Sequence, residues 1–139
     1  MEITVKNSQK KIPVSPAKIK KTILNVLSAE GFKKNAELSV YFVTDIRIRA
    51  LNRKFLHKDE ATDVLAFNLS KAGRKDSLVG DIVVSAEMAL RNARIFQTNP
   101  KDELRLYVVH GLLHLLGYDD QNIDAKKLMR QKEKKYANL

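Results

Sequence analysis

The sequence contains no cysteine and no tryptophan, and it has only five glycines and three prolines among 139 residues. Without cysteine the chain forms no disulfide bond, no thiolate nucleophile and no cysteine-ligated zinc site, which leaves histidine and carboxylate side chains as its strong metal ligands. Five phenylalanines and four tyrosines are too few for an extensive base-stacking platform. The low glycine and proline content argues against a long linker, and we expect a single domain over residues 1–139.

Long hydrophobic runs are also missing. The most apolar stretch, residues 106–116, is interrupted by His110, Gly111 and His114, so it is too short and too polar to cross a bilayer. The segment from Met1 to Lys6 has neither the apolar run nor the small-residue cleavage site of a signal peptide. We therefore expect a cytoplasmic protein with no membrane partner.

Negative charge is scarce. The chain has 26 lysine and arginine residues against 16 aspartate and glutamate residues, which gives a formal net charge of +10. Such an imbalance favours a polyanionic partner such as nucleic acid, although lysine-rich surfaces also occur simply as solvated faces.

The periodicity of apolar residues and the helix-capping residues predict an α+β fold with a small mixed sheet of about four strands covered by about five helices. Ser15 and Thr44 are placed to cap helices, another helix begins at Ser85, and Asn99-Pro100 breaks the chain before the next one. Predicted strands lie near residues 3–5, 38–43, 64–69 and 80–85, and predicted helices near 15–30, 44–55, 85–97, 101–116 and 122–135. Residues 70–77 are predicted to connect two strands.

The fourth of these helices contains His110 and His114, and it is apolar on nearly every side, so it should lie at the centre of the fold. Side chains four residues apart leave the same face of a helix and can share one ion. Gly117 would allow the chain to leave the helix, and the carboxylate of Asp120 could then return to the same point. The spacing of His110, His114, Gly117 and Asp120 matches the extended zinc motif H-E-x-x-H-x-x-G-x-x-H. Two residues differ from the motif, because Gly111 replaces the glutamate and Asp120 replaces the third histidine.

This pattern predicts a metal site formed by His110, His114 and Asp120, with Zn²⁺ as the first choice and Ni²⁺, Mn²⁺ or Fe²⁺ as alternatives. Three protein ligands would leave an open position for water, as in catalytic zinc sites. Asp119 competes with Asp120 for the third position. The offset favours Asp120, and Asp119 then either orients a histidine N–H or serves as a turn or cap residue.

Gly111 occupies the position at which zinc peptidases carry their general base, and glycine cannot perform that role. A peptidase is therefore disfavoured.

Several motifs resemble those of the YbeY family of bacterial metal-dependent endoribonucleases, which are also called ribosomal RNA maturation factors. The resemblance extends over most of the chain and is carried by the segment from His110 to Asp120, together with Leu51-Asn-Arg53, Lys58-Asp59, Thr62-Asp63-Val64-Leu65-Ala66-Phe67 and Gly80-Asp81-Ile82-Val83. It implies a mixed sheet with helices around a cleft floored by one divalent metal ion. It also implies cleavage of single-stranded RNA, maturation of the 3′ end of 16S ribosomal RNA, ribosome quality control, and ribosomal RNA and the small subunit as partners.

This sequence departs from the family pattern at two functional positions. Asp120 replaces a histidine ligand, and Leu56 stands where the family carries an arginine that is important for cleavage. The candidate catalytic residues are Arg53 and Lys58 as phosphate contacts and Asp119 beside the metal. Arg53 lies one helical turn before Leu56 and could replace the missing arginine, with a solvated helix residue as the alternative reading. His57, Arg74 and Lys75 are further candidates for phosphate contacts, with solvated loop residues as the alternative reading.

The sequence is compatible with three functions. The first is a metal-dependent endoribonuclease that attacks a phosphodiester with metal-activated water. The second is an RNA-binding factor of ribosome assembly, with a structural metal and weak or no catalysis, and the third is a hydrolase of another substrate, including peptides.

Overall fold

The computed structural model describes residues 1–70 and 77–137. Within those residues the chain forms four strands and five helices, as the sequence predicts. In chain order they are β1 Glu2–Asn7, α1 Pro16–Ala29, β2 Asn35–Val43, α2 Asp45–Leu56, β3 Val64–Asn68, β4 Ser77–Ser85, α3 Ala86–Phe96, α4 Pro100–Leu115 and α5 Ile123–Ala137.

The strands form one mixed sheet in the order β1-β2-β4-β3. β2 pairs in parallel with both β1 and β4, and its Val40 lies opposite Val5 and Ile82. β3 runs antiparallel to β4, where Ala66 lies opposite Ile82. The predicted α+β class with a mixed sheet is therefore confirmed.

Side-chain caps begin four of the helices, and those of Ser15 and Thr44 confirm predicted caps. The side chains of Ser15, Thr44, Ser85 and Asn99 each accept a hydrogen bond from a backbone N–H in the first turn of α1, α2, α3 and α4, respectively. Such caps satisfy backbone donors that have no partner within the helix. The helix boundaries thus follow directly from the local sequence.

The two faces of the sheet bury clusters of different size because successive strand residues point to opposite sides. Ile82 and Val84 of β4 belong to the large cluster that contains residues of α1, α3, α4 and α5. Val83, which lies between them, belongs to a small cluster with Ile48 of α2. α2 therefore covers one face of the sheet, and α4 lies in the main core on the other.

α4 is buried along most of its length, as its apolar composition predicts. Val108, Val109, Leu112 and Leu113 are all fully buried. Within the described residues, no helix combines the length and apolar character needed to span a bilayer.

Candidate metal centre

His110 and His114 lie one above the other on α4, on a side where the helix is only partly covered. Their Nε2 atoms are 3.0 Å apart and their ring planes are inclined at 77°. Both rings therefore direct the same nitrogen towards one point, which is the arrangement that two histidine ligands of a single ion require.

The chain turns back towards this point immediately after α4. Gly117 has a φ of +103°, a backbone conformation that a side chain would disfavour, and the backbone N–H of Tyr118 donates to Leu113 O. The turn brings an exposed carboxylate, that of Asp120, beside the histidines. One potential ligand atom from each of His110, His114 and Asp120 lies within 4.8 Å of the other two.

Two imidazole nitrogens and one carboxylate oxygen are a suitable donor set for Zn²⁺ and for other divalent transition metals. The three residues predicted to bind a metal are therefore close enough to share one ion. A set of three protein ligands leaves room for water or a substrate oxygen on the ion. The identity of the metal stays a prediction.

A carboxylate on α5 contacts the opposite edge of the His110 ring. Glu133 Oε1 is in hydrogen-bond contact with His110 Nδ1, and the two side chains are 17% and 26% exposed. Burial alone would lower the pKa of His110, but the hydrogen bond and charge of Glu133, helped by the charges of Asp63 and Asp120, raise it above its usual value. Glu133 thus favours a proton on Nδ1.

The cleft in front of His110 and Asp120 has a volume of about 260 Å³. One part of its lining is acidic or polar, with Asp63 and Tyr107, and another part is basic, with Lys126 and Arg130 of α5. The Tyr107 hydroxyl accepts a 2.6 Å hydrogen bond from Asn92 Nδ2, and burial raises the pKa of this phenol well above its usual value. The tyrosine is therefore a neutral wall of the cleft at physiological pH.

Gly111 has a packing role in addition to lacking an acid–base group. A Cβ at this position would lie 2.8 Å from Ile82 Cγ2 and 3.1 Å from Val64 Cγ2, so even alanine requires the sheet or the helix to shift. α4 approaches β3 and β4 closely because this residue has no side chain. His110 and His114 are on the same helix, so this close packing also positions them relative to the sheet.

Glu30, which caps the C-terminal end of α1, connects three parts of the chain near the metal centre. Its carboxylate accepts hydrogen bonds from the Tyr118 and Tyr136 hydroxyls, and Lys132 Nζ donates to it at 3.0 Å. Tyr118 precedes the Asp119-Asp120 pair, whereas Lys132 and Tyr136 flank Glu133 on α5. This cluster, which we call the Glu30 cluster, anchors both the turn that carries Asp120 and the helix that carries Glu133.

Arg53 and Lys58, two of the predicted catalytic residues, lie at the exposed end of α2 and in the loop that follows it. The buried side chain of Asn52 holds this loop by donating to Glu60 O at 3.0 Å. Neither cation is among the residues that line the cleft, where Lys126 and Arg130 supply the positive charge instead. The roles of Arg53 and Lys58 stay predictions.

Other predicted candidates are placed as follows. Asp119 Oδ1 accepts a 3.3 Å hydrogen bond from Gln121 N, as a turn residue does, and its catalytic role stays a prediction. His57 is exposed and adopts a left-handed conformation at the end of α2. Arg74 and Lys75 lie outside the described residues.

The sequence does not predict a role at the site for Glu133, Asp63 or Arg130. For the C-terminal lysines, which begin at Lys126, it allows either contact with RNA or a solvated helix face. One signal for Glu133 was available, because Met129, Glu133 and Tyr136 have the i, i+4, i+7 spacing of a single helix face. Met129 and Tyr136 are essentially fully buried. A glutamate between two buried residues requires a polar partner, although the spacing does not identify that partner.

Comparison with known proteins agrees with this architecture. A family model described as Endoribonuclease YbeY matches residues 4–139. The Endoribonuclease YbeY of Pelotomaculum thermopropionicum is 38% identical over 96% of this chain and 93% of its own length. That of Anaeromyxobacter dehalogenans is 45% identical over 80% of this chain and 57% of its own length.

A solved structure is similar over nearly the whole chain. The solution structure of TM1509 from Thermotoga maritima aligns with a TM-score of 0.64 and 29% identity, and the alignment covers 98% of this chain and 87% of that one. The resemblance noted in the sequence is therefore confirmed, and the chain belongs to the YbeY endoribonuclease family.

Proposed function

We propose that this protein is a metal-dependent endoribonuclease that cleaves single-stranded RNA by hydrolysis of a phosphodiester. The observation that carries the proposal is the convergence of His110, His114 and Asp120 at one edge of a cleft that also contains cationic side chains. Membership of a family whose members are named as endoribonucleases supports the choice of RNA as substrate. The formal net charge of +10 suits a polyanionic substrate.

The side chains of the cleft divide the work of the proposed reaction. His110, His114 and Asp120 would hold the ion, and a bound Zn²⁺ would supply Lewis acidity towards a phosphoryl oxygen and a water molecule of lowered pKa. Lys126 and Arg130 would attract the phosphate group and set the path of the RNA backbone. Arg53 and Lys58 are proposed to contact phosphates further along the strand.

Gly111 bears on the class of bond that is cleaved. A glutamate general base at this position is a feature of zinc peptidases, and the close approach of Ile82 and Val64 leaves no space for one. Gly111 therefore supplies no general base of the zinc-peptidase type, and recognition of a negatively charged substrate would depend on Lys126 and Arg130.

For the cellular role we propose processing of ribosomal RNA, specifically maturation of the 3′ end of 16S ribosomal RNA, and ribosome quality control. The partners would be ribosomal RNA and the small subunit, and the location would be the cytoplasm. These proposals are supported by the family resemblance of the sequence and by the basic surface, and the metal is proposed to be Zn²⁺.

The test is an RNA cleavage assay with untagged protein, a single-stranded oligonucleotide and a double-stranded control. Cleavage of the single strand should stop on addition of a chelator, return with Zn²⁺ or another divalent ion, and fall in His114→Ala to the level of the chelated protein. The control is Lys20→Ala, at an exposed residue of α1 that has no proposed role at the site. This variant should retain cleavage.

Two outcomes would contradict the proposal. Cleavage that survives both chelation and His114→Ala would show that the site is not responsible for it. Tight RNA binding with no cleavage by the metal-loaded protein would favour the alternative, a ribosome-assembly factor whose metal is structural. In that case His114→Ala should lower thermal stability and leave RNA affinity unchanged.

A further inference from the structure

Glu133 is a carboxylate placed in the apolar face of α5. Its neighbours on this face, Met129 and Tyr136, are 1% and 0% exposed. A carboxylate removed from water destabilises the fold unless it is hydrogen-bonded or paired with a charge. The contact that compensates Glu133 is the one with His110 Nδ1.

We propose that Glu133 is a positioning residue of the metal centre, which holds the His110 ring with its proton on Nδ1 and its Nε2 lone pair directed at the ion. The proposal rests on the metal site proposed above and goes beyond it, because it adds a residue from a different helix. A neutral imidazole has one N–H and one acceptor nitrogen, so the partner of one nitrogen determines the state of the other. A carboxylate accepts a hydrogen bond and cannot donate one when it is ionised.

The geometry on the other side of the ring agrees with this assignment. The Nε2 atoms of His110 and His114 face each other at 3.0 Å, which requires a proton between them when no ion is bound. With Nδ1 of His110 donating to Glu133, the shared proton belongs to His114 Nε2. An ion at the shared position would require that proton to leave Nε2 while Nδ1 of the same ring takes one up from solvent, so that His114 stays neutral. The hydrogen bond to Glu133 is unaffected by this exchange.

The position of Glu133 is itself fixed by its neighbours. Lys132 and Tyr136 both bind the carboxylate of Glu30, so α5 is attached to α1 on both sides of Glu133. Mobile surface ion pairs contribute little because two long side chains must be ordered to form them. Here the backbone of α5 is already held by the Glu30 cluster, and the carboxylate can orient the ring at little further entropic cost.

The first measurement is the affinity of the protein for Zn²⁺ alone, determined by calorimetry with a competing chelator. Glu133→Ala should weaken binding by about 10- to 100-fold, the effect usual for loss of a residue that orients a metal ligand. Glu133→Gln should lose less, because an amide oxygen still accepts from Nδ1. Asp124→Asn, in the exposed first turn of the same helix, is the control and should bind like the wild type.

The second measurement is the tautomer of His110 in the metal-free protein, read from long-range ¹H–¹⁵N correlations at alkaline pH. The wild type and Glu133→Gln should show the Nδ1–H form, and Glu133→Ala should shift towards a mixture. Circular dichroism verifies that each variant is folded. If Glu133→Ala does not fold, the wild type and Glu133→Gln still report the tautomer.

The outcomes separate this inference from the proposed function. Wild-type Zn²⁺ affinity in folded Glu133→Ala, or an Nε2–H tautomer in the wild-type protein, would overturn the role of Glu133. Absence of Zn²⁺ binding by the wild type would contradict the metal proposed for the reaction. The tautomer would then still decide whether Glu133 orients the ring.

Discussion

Replacing Glu30 with alanine should lower the free energy of unfolding by about 2–4 kcal/mol, because one carboxylate satisfies three donors near the core. The Glu30 side chain is 11% exposed and Tyr136 is fully buried, so water cannot easily replace the lost acceptor. A hydrogen bond to a charged group contributes about 1.5–3 kcal/mol. The three hydrogen bonds share one carboxylate, so their contributions are not additive. The expected total is therefore well below three times the contribution of a single bond.

The assay is urea and thermal unfolding at neutral pH, where a loss of this size corresponds to a fall in Tm of about 10 °C. Glu30→Gln should be intermediate, because it keeps an acceptor and loses the charge that pairs with Lys132. Glu60→Ala, in an exposed loop, is the control and should change stability by less than about 0.5 kcal/mol. A Glu30→Ala variant as stable as this control would refute the reasoning.

The same residue predicts how stability depends on pH. Burial alone would raise the pKa of the Glu30 carboxyl, but the hydrogen bonds from Tyr118, Tyr136 and Lys132 outweigh it and hold the pKa below its ordinary value of 4.5. The stabilisation is therefore complete above pH 4.5 and is lost as the pH falls through the lower pKa of the folded state. The difference in stability between the wild type and Glu30→Gln should shrink over that acidic range, and a constant difference would contradict the assignment.

Two further predictions concern the packing of α4 and the charge of the cleft. Gly111→Ala should lower the free energy of unfolding, measured in urea, by about 1 kcal/mol. Alanine gains roughly 1 kcal/mol from its better helix propensity, but crowding of its Cβ against Ile82 costs more than this. A variant more stable than the wild type would contradict the close approach of α4 to the sheet. Lys126→Ala and Arg130→Ala should each weaken binding of single-stranded RNA and lower the slope of log affinity against log salt by about 0.7, whereas the exposed Lys20→Ala on α1 should leave the slope unchanged.

Much of the fold is predictable because its determinants are local. Ser15 and Thr44 cap the helices that the sequence predicts them to cap, since the side chain and the N–H that it binds are three residues apart. The convergence of His110 and His114 is local in the same sense, because it depends only on helical spacing. The order of the strands is not local, and nothing in the alternation of apolar residues shows that β4 lies between β2 and β3.

The partners of the site could not be predicted for the same reason. His110 and Glu133 are separated by 23 residues, and Glu30 and Tyr118 by 88, so only tertiary packing brings them together. Asp119 is a candidate for orienting a histidine in the sequence only because it lies close to the motif. From the sequence, Gly111 is notable only for its lack of a carboxylate, whereas the contact that a side chain would make with Ile82 depends on the packing of the helix on the sheet.

The attachment of α5 to the metal centre also determines when the centre is complete during synthesis. A nascent chain that has emerged only as far as Asp120 carries all three proposed ligands, but it lacks Lys132, Glu133 and Tyr136. Until α5 docks on Glu30 and His110, the imidazole has no carboxylate from Glu133 to fix its proton. The ligands are therefore made before the part of the chain that orients them, which delays a correctly arranged centre until the last helix has folded.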